Sequence, residues 1–182
     1  MSKYRLKSND AILVIIDLQE KLLAAMPDRE KICRNTRILL SLTRHFNMPV
    51  LLTEQYPRGL GSTVNEIKEM LPEHHRLERV QFSAFTPEMT ALLQQMGRRT
   101  ILMTGTETHV CVYQTTRDLL EYGFNVHLVK DAVCSRYNEN HENGLALMHD
   151  LGAVVTNTET VVFDLLVDSG NPAFRSLSAL IK

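Results

Sequence analysis

The stretch of sequence that decides the fold is AILVIID, residues 11–17. Six apolar residues stand in a row without polar alternation, and Asp17 ends the run. Strands that are apolar on both faces are typical of parallel sheets, because helices cover both sides of such a sheet. The run therefore predicts a buried parallel strand with a carboxylate at its carboxyl end.

Further strand patterns follow along the chain, and helical patterns separate them. The strand candidates cover residues 49–53, 76–82, 100–103, 125–130 and 153–156. The helix candidates show apolar residues at helical spacing or residues that cap a helix. They cover residues 28–46, 64–70, 87–96, 108–122, 141–151, 159–167 and 172–181. Right-handed crossovers place such helices on both faces of one sheet. We therefore predict a three-layer α/β/α fold with a Rossmann-like, doubly wound, six-stranded parallel sheet.

The size and composition fit one globular domain. The chain has 182 residues, of which 44% are hydrophobic and 23% charged. No linker, repeat or low-complexity segment divides it, so residues 1–182 are expected to form a single domain. The net charge of −1 leaves no basic excess to neutralise phosphates, and nucleic acid is therefore not an expected partner.

The sequence also indicates a compartment. No apolar run approaches the roughly 18–20 residues that a bilayer requires, so no membrane partner is expected. The polar amino terminus lacks the apolar centre of a signal peptide. The three cysteines, at positions 33, 111 and 134, are odd in number and widely spaced, which argues against a disulfide framework. These features predict a cytoplasmic protein.

Two residues are candidates for chemistry at the carboxyl edge of the sheet, where ligands of such folds bind. Asp17 is either a cap for the next helix or a catalytic base in a partly dry pocket. Cys111 follows the fourth strand in TGTETHVC, residues 104–111, and enters a helix. The positive end of a helix dipole favours thiolate, and free N–H groups there are able to bind an oxyanion. The alternative for Cys111 is a buried, inert thiol.

The remaining candidates indicate packing rather than chemistry. Cys134 also follows a strand, but no helix begins within one turn of it, and Cys33 lies inside a helical pattern. The seven histidines show no H-x-x-H or E-x-x-H spacing, and C-x-x-C is absent, so no metal is predicted. No glycine-rich phosphate-binding motif occurs, so no cofactor is predicted.

Several segments resemble the isochorismatase-like cysteine hydrolases in order and strand context. They are IIDLQ (residues 15–19), FSAF (82–85) and GTETHVCV (105–112). The segments TEQYPRGLGST (53–63) and DAVCSR (131–136) resemble the isochorismatase-domain-containing branch in particular. The resemblance runs from about residue 9 to the end of the chain and implies the same fold that the strand and helix patterns predict.

The resemblance implies a hydrolase with a catalytic triad. Amidases of the family use a cysteine, an aspartate and a lysine, and the motifs place the first two at Cys111 and Asp17. The lysine position, three residues before Phe82, holds Arg79 in this chain. Arginine is able to stabilise a thiolate but not to exchange a proton, because it stays charged. If the register slipped by one, Glu78 would occupy the position and disfavour the thiolate.

The resemblance also implies the surroundings of the nucleophile. The expected oxyanion-binding backbone belongs to Thr106, Glu107, Val110 and Cys111. A strained cis peptide bond is expected between Thr106 and Glu107. The expected substrate pocket includes Gln19, Glu54, Tyr56, Phe82 and His109. Metal-dependent nicotinamidases carry histidines where this chain has TEQY, residues 53–56, which implies no metal and disfavours nicotinamidase activity.

Functions of different classes fit these residues. In the first, Asp17 takes the proton of Cys111, and the thiolate cleaves the C–N bond of a small amide-type substrate through an acyl-enzyme. In the second, the chain is a catalytically degenerate member that acts as an oligomeric binding protein, and Arg79 records the lost catalysis. A vinyl-ether hydrolase of the isochorismate type is a further alternative.

A homo-oligomer, a dimer or higher, is expected in each case. Relatives associate in this way, and the resemblance implies the same here. The closing segments 161–167 and 174–181 are rich in apolar residues for a chain end, and closed symmetry would bury any apolar patch that they leave exposed. Packing of these segments within one chain is the alternative.

Overall fold

The computed structural model describes residues 3–182 and contains a six-stranded, all-parallel sheet with helices on both faces. The strands are β1 (Ala11–Ile16), β2 (Val50–Gln55), β3 (His75–Arg79), β4 (Thr100–Thr106), β5 (Asn125–Cys134) and β6 (Val154–Thr156). Their order is β3-β2-β1-β4-β5-β6. The predicted three-layer, Rossmann-like, doubly wound fold is therefore confirmed.

Helices connect the strands. They are α1 (Glu20–Ala24), α2 (Arg29–Phe46), α3 (Pro57–Leu60), α4 (Asn65–Lys68), α5 (Pro87–Met96), α6 (Tyr113–Glu121), α7 (Asn138–Asp150), α8 (Thr158–Leu166) and α9 (Phe174–Ser178). The segment predicted as one helix over 108–122 instead starts with a π-helical turn, Thr108–Val112, that leads into α6. Within residues 3–182, no helix is long and apolar enough to cross a membrane.

Both faces of β1 are buried, and each face belongs to a different core. Leu13 and Ile15 pack among residues of α2 and α8, whereas Ile12, Val14 and Ile16 pack among residues of α5, α6 and α7. All six residues of β1 are fully buried. Because complete burial of a large aliphatic side chain contributes about 1.5–3 kcal/mol, this one strand is a major source of stability.

The order of the strands creates a crevice beside β1. From β1 the chain builds outward through β2 to β3, and it then returns to the other side of β1 to form β4. In sheets of this kind, ligands bind outside the carboxyl ends of the strands at the point where the order reverses. Asp17 directly follows β1 and Cys111 comes shortly after β4, so both residues belong to this crevice.

The carboxyl-terminal helices pack mainly within the chain. Their buried residues are Val161, Val162, Leu165, Leu166 and Leu177. Three apolar side chains stay exposed, namely Phe163, Val167 and Leu180, and Val167 is 82% exposed. Intramolecular packing therefore explains most, but not all, of the apolar residues at this end of the chain.

Candidate active site

A buried ion pair lies at the carboxyl edge of the sheet. The two carboxylate oxygens of Asp17 accept hydrogen bonds from Nη1 and Nη2 of Arg79, each at 2.7 Å. The side chains are 0% and 2% exposed, respectively. Two parallel, charge-assisted bonds of this kind fix orientation as well as charge. Arg79 is thus held against Asp17 as a clamp.

Threonines at neighbouring strand ends support this clamp. The hydroxyl of Thr53 donates to Oδ1 of Asp17 at 2.9 Å, and the hydroxyl of Thr106 donates to the backbone carbonyl of Asp17 at 2.6 Å. Asp17 has a φ of 52°, a left-handed conformation that costs a non-glycine residue about 1–3 kcal/mol. Arg79 also donates from Nη2 to the carbonyl of Phe82 at 2.9 Å. These contacts hold Asp17 in its strained conformation.

Cys111 lies in the π-helical turn between β4 and α6. The N–H groups of Val110 and Val112 both donate to the carbonyl of Glu107, at 3.1 and 3.2 Å. The Val110 N–H is therefore occupied inside the turn, and its role in binding an oxyanion stays a prediction. The oxyanion roles expected for the backbone of Thr106, Glu107 and Cys111 stay predictions.

The expected cis peptide bond between Thr106 and Glu107 is wrong, since every peptide bond within residues 3–182 is trans. The unusual backbone lies one residue earlier, where Gly105 has a φ of 136°. A Cβ atom at this position would lie 2.0 Å from the carbonyl oxygen of Ile16. Glycine alone adopts this φ beside so close a backbone, and it allows the chain to turn from β4 towards Cys111.

The surroundings of Cys111 raise the pKa of its thiol. Burial is the main cause that raises its pKa to about 12, and the charge of Asp17 and a hydrogen bond with it raise the pKa further. The charge of Arg79 lowers this pKa only in part. The thiolate favoured by the helix dipole stays a prediction, and the burial of a residue that is 4% exposed acts against it.

The other two cysteines are buried, and their role in packing stays a prediction. Cys134 ends β5 and Cys33 lies in α2, and both are buried. Burial is the main cause that raises the pKa of Cys134 to about 12, and it raises the pKa of Cys33 as well. Among residues 3–182, no acidic or basic side chain is hydrogen-bonded to either thiol.

A cavity of about 430 Å³ opens onto Cys111, a size that suits a small molecule. Its lining consists of Lys21, Leu22, Ala25, Met26, Gln55, Phe82, Glu107, Val110, Cys111 and Arg136. The first four residues belong to α1 or directly follow it. They were not predicted, because a helix of five residues is too short to leave a periodic pattern in the sequence.

Two of the expected pocket residues lie at cavities. Phe82 is 55% exposed and lines the cavity of Cys111. Tyr56 lines a neighbouring cavity of about 580 Å³, together with Arg79 and Val80. The clamp residue Arg79 thus also lines this second cavity.

Two other expected pocket residues are tied into the protein. The amide nitrogen of Gln19 donates to the carbonyls of Gln55 and Gly61 at 3.0 and 2.7 Å, and its amide oxygen accepts from the N–H of Gln55. Oε1 of Glu54 accepts from the N–H and the hydroxyl of Thr63, both at 2.7 Å. Both side chains are buried and occupied in this way, and their contact with substrate stays a prediction. They hold the segment that follows β2.

His109 contacts Glu107, a residue of the cavity wall, and Ser135. Its Nδ1 atom is 3.0 Å from the hydroxyl of Ser135 and 3.5 Å from Oε2 of Glu107. Glu107 in turn accepts a hydrogen bond from Nε of Arg136 at 2.6 Å. This pairing of Glu107 with Arg136 was not predicted, although both residues stand in segments that carry the family resemblance. In the part of the chain that the structure describes, no cluster of three metal-ligating side chains occurs.

The fold and this arrangement of residues define a Rossmann-like α/β protein with a cysteine-centred site. The chain belongs to the isochorismatase family of hydrolases, since the family model described as "Isochorismatase domain" matches residues 11–160. A similar curated protein is the "Secreted isochorismatase effector Isc1" of Phytophthora sojae. It is 37% identical over an alignment that covers 98% of this chain and 87% of the relative.

Solved structures show the same fold. The "MAR1 Ribonuclease" of Caenorhabditis elegans has a TM-score of 0.92 at 36% identity, with 97% of this chain and 92% of that chain covered. The YcaC gene product of Escherichia coli, described as an octameric hydrolase of unknown specificity, has a TM-score of 0.90 at 27% identity, with 97% and 89% covered. YcaC of Pseudomonas aeruginosa, with hexane-2,5-diol and covalent acrylamide, has a TM-score of 0.88 at 27% identity, with 100% and 97% covered.

Proposed function

We propose that this protein is a cysteine hydrolase that cleaves the C–N bond of a small amide-type substrate through an acyl-enzyme on Cys111. The observation that carries the proposal is the environment of the thiol. It lies at a cavity of about 430 Å³ and close enough to Asp17 for the charge of that carboxylate to raise its pKa, and Arg79 and Thr53 hold Asp17 in place. The covalent acrylamide on Pseudomonas aeruginosa YcaC supports covalent chemistry in a related protein.

The first half of the reaction forms the acyl-enzyme. Asp17 accepts the proton of Cys111 while the sulfur attacks the carbonyl carbon, so that an S–C bond forms and the carbonyl electrons move to oxygen. The N–H of Cys111 stabilises this oxyanion. When the carbonyl forms again, the C–N bond breaks, and the nitrogen takes the proton from Asp17 and leaves as ammonia or an amine. Arg79 keeps its proton and holds Asp17 in position throughout.

The second half of the reaction hydrolyses the thioester. A water molecule gives a proton to Asp17 as its oxygen attacks the thioester carbon. The C–S bond then breaks, the sulfur recovers a proton from Asp17, and a carboxylic acid leaves. The net reaction converts amide and water to acid and ammonia. Because burial raises the pKa of the Cys111 thiol, proton transfer to Asp17 accompanies the attack in this proposal.

A substrate panel tests this proposal. Small amides and ureas are expected to release ammonia in a reaction that Cys111→Ala abolishes and that the matched variant Cys134→Ser retains. Intact-mass spectrometry is expected to detect the acyl group on Cys111. Activity in a clean preparation of Cys111→Ala would overturn the proposal. Cleavage of vinyl ethers alone would favour the isochorismate-type alternative, and binding without turnover would favour the degenerate binding protein.

The panel should also contain a short RNA, because one structural relative is named a ribonuclease. The net charge of −1 and a cavity of about 430 Å³ favour a small molecule over a polyanion. We therefore expect no RNA cleavage that depends on Cys111. Loss of RNA cleavage in Cys111→Ala, without any amide turnover, would replace the amide hydrolase with a nuclease.

We further propose that the protein is a homo-oligomer, a dimer or higher. The exposed side chains of Phe163, Val167 and Leu180 at the carboxyl-terminal helices would gain from burial against another subunit. The octameric description of Escherichia coli YcaC supports this. Light scattering at micromolar concentration is expected to give a multiple of 20.8 kDa, and a monodisperse monomer would contradict the proposal.

We also propose that the protein works in the cytoplasm. Its cysteines are free and buried, which fits a reducing compartment. The Phytophthora sojae relative is named as secreted, so fractionation of the source cells is the decisive measurement. Recovery of the protein outside the cells would contradict this proposal.

A further inference from the structure

The segment 82–85, which follows β3, is tied to the helix that follows Cys111. The hydroxyl of Ser83 donates to Oδ2 of Asp118 in α6 at 2.6 Å. Three positions earlier in α6, the hydroxyl of Thr115 accepts a hydrogen bond from the N–H of Ala84 at 2.8 Å. Two side chains of α6 therefore hold this segment against the helix.

Thr115 also contacts the backbone of the proposed nucleophile. Its hydroxyl donates to the carbonyl of Cys111 at 2.6 Å. Because a hydroxyl has one proton to donate and lone pairs that accept, this one atom bridges Ala84 and Cys111. A threonine hydroxyl in a helix often donates to the carbonyl four residues earlier. The bond from Ala84, which is 31 positions away, is however a contact between distant parts of the chain.

The same segment contacts the clamp on its other side. Nη2 of Arg79 donates to the carbonyl of Phe82 at 2.9 Å, and Arg79 holds Asp17 by two bonds of 2.7 Å. The segment therefore joins the clamp to Thr115, and Thr115 joins the segment to Cys111. This is a second connection between Asp17 and Cys111, in addition to the pairing of the strands β1 and β4.

A neighbouring threonine shows that burial alone does not produce these bonds. Thr116 follows Thr115 in α6, and both side chains are 0% exposed. The hydroxyl of Thr116, however, has no hydrogen-bond partner among the residues that the structure describes. The two threonines thus share their size, their helix and their burial, and they differ in the two bonds that Thr115 makes. This difference supplies a matched control for removal of a buried hydroxyl.

We propose that Thr115 is a positioning residue that fixes Cys111 relative to the clamp of Asp17 and Arg79. Thr115 acts through the carbonyl of Cys111 and through the segment 82–85, and not by contact with substrate. Side chains that react are held in a productive geometry by hydrogen bonds from the residues behind them. The inference rests on the proposed function for the reaction that depends on this geometry, but the reactivity of Cys111 is measurable without that reaction.

Turnover of the amides that the panel identifies is the first test. Thr115→Val keeps the shape of the side chain but removes both bonds. We expect kcat to fall about 10- to 100-fold with little change in KM, because a misplaced nucleophile affects the transition state more than binding. Thr115→Ser, which keeps the hydroxyl, and Thr116→Val, which removes the unbonded one, should both retain most of kcat. Equal losses in Thr115→Val and Thr116→Val, or a similar loss in Thr115→Ser, would overturn the proposal.

Labelling with acrylamide separates this inference from the proposed chemistry, and peptide mass spectrometry assigns the label to Cys111. Because the pKa of this thiol is raised, its reaction at pH 7 depends on a base that takes the proton. We expect labelling to be about tenfold slower in Thr115→Val, where Cys111 is displaced from Asp17, and unchanged in Thr115→Ser and Thr116→Val.

The outcomes for the two proposals differ. Slower labelling in Thr115→Val, together with no amide turnover by the unaltered protein, would sustain the positioning role and overturn the hydrolase. Unchanged or faster labelling in Thr115→Val, together with amide turnover through Cys111, would sustain the hydrolase and overturn the positioning role. Urea unfolding shows whether Thr115→Val is folded, and Thr115→Ala, which has a smaller side chain, takes its place with the same expectations if it is not.

Discussion

Removal of Arg79 tests how far the clamp on Asp17 stabilises the fold. Arg79→Met keeps an unbranched side chain but leaves the carboxylate of Asp17 buried without a cation. The two side chains are 0% and 2% exposed and share two bonds of 2.7 Å. Breaking a buried pair of this kind from one side costs about 3–5 kcal/mol. We therefore expect the free energy of unfolding at pH 7 to fall by that amount.

A second substitution separates the unpaired charge from the lost packing. In Asp17→Asn/Arg79→Met, no charge is left, and the hydroxyl of Thr53 keeps an acceptor in the asparagine oxygen. Most of the cost of Arg79→Met is the buried charge, so the double variant is expected to recover at least about 2 kcal/mol relative to Arg79→Met alone. Arg79→Lys keeps the charge but loses the parallel bonds, and a loss of about 1–3 kcal/mol is expected.

Urea unfolding followed by circular dichroism gives these free energies, provided that the m-value stays the same among the variants. The reasoning fails if Arg79→Met costs less than about 1 kcal/mol, because the carboxylate of Asp17 would then have another source of compensation. It also fails if the double variant is less stable than Arg79→Met. In that case, packing of the arginine stem would matter more than its charge.

Three further predictions concern the cysteines and their surroundings. Gly144→Ala would place a Cβ atom 3.0 Å from backbone atoms of His109, and we expect a loss of about 1–3 kcal/mol by overpacking and lower amide turnover, measured by urea unfolding and ammonia release. Burial raises the pKa of Cys134 to about 12. The unfolded chain gives up this proton at a lower pH, so stability falls as the pH rises above the ordinary thiol range, and Cys134→Ala should make this fall less steep in urea unfolding between about pH 9 and pH 11. Iodoacetamide labelling of native Cys111 is expected to be slow at pH 7 and to rise about tenfold per pH unit up to at least pH 10; a plateau below pH 9 would contradict its raised pKa.

The sequence predicts the fold well because its decisive signal is local. A strand that is buried on both faces, such as residues 11–16, has to be apolar at every position, and this pattern needs no knowledge of its partners. The same logic places Asp17 and Cys111, since each follows such a strand and parallel strands align their carboxyl ends. The structure brings the two residues together across neighbouring strands β1 and β4.

Features that depend on distant contacts could not be predicted in this way. The sign of the pKa shift of Cys111 depends on how much water the surrounding helices exclude, and the sequence does not contain that quantity in any local form. Gln19 and Glu54 are polar residues near strand ends, as substrate-binding residues often are, but their partners come from the segment between residues 55 and 63. The pair of Glu107 and Arg136 joins residues 29 positions apart, and only the folded chain brings them into contact.

The arginine at position 79 constrains how protons move in the proposed reaction. A lysine at this place is able to release a proton when its pKa falls, whereas an arginine stays charged. Arg79 therefore provides a fixed positive charge, and every proton that leaves the thiol or reaches the leaving group has to pass through Asp17. The high pKa of Cys111 fits this arrangement, because a thiol that keeps its proton until a substrate arrives does not need a second base. With arginine instead of lysine at position 79, fewer groups are able to exchange protons in the proposed reaction. Asp17, the one group that the proposed chemistry requires for this exchange, is still present.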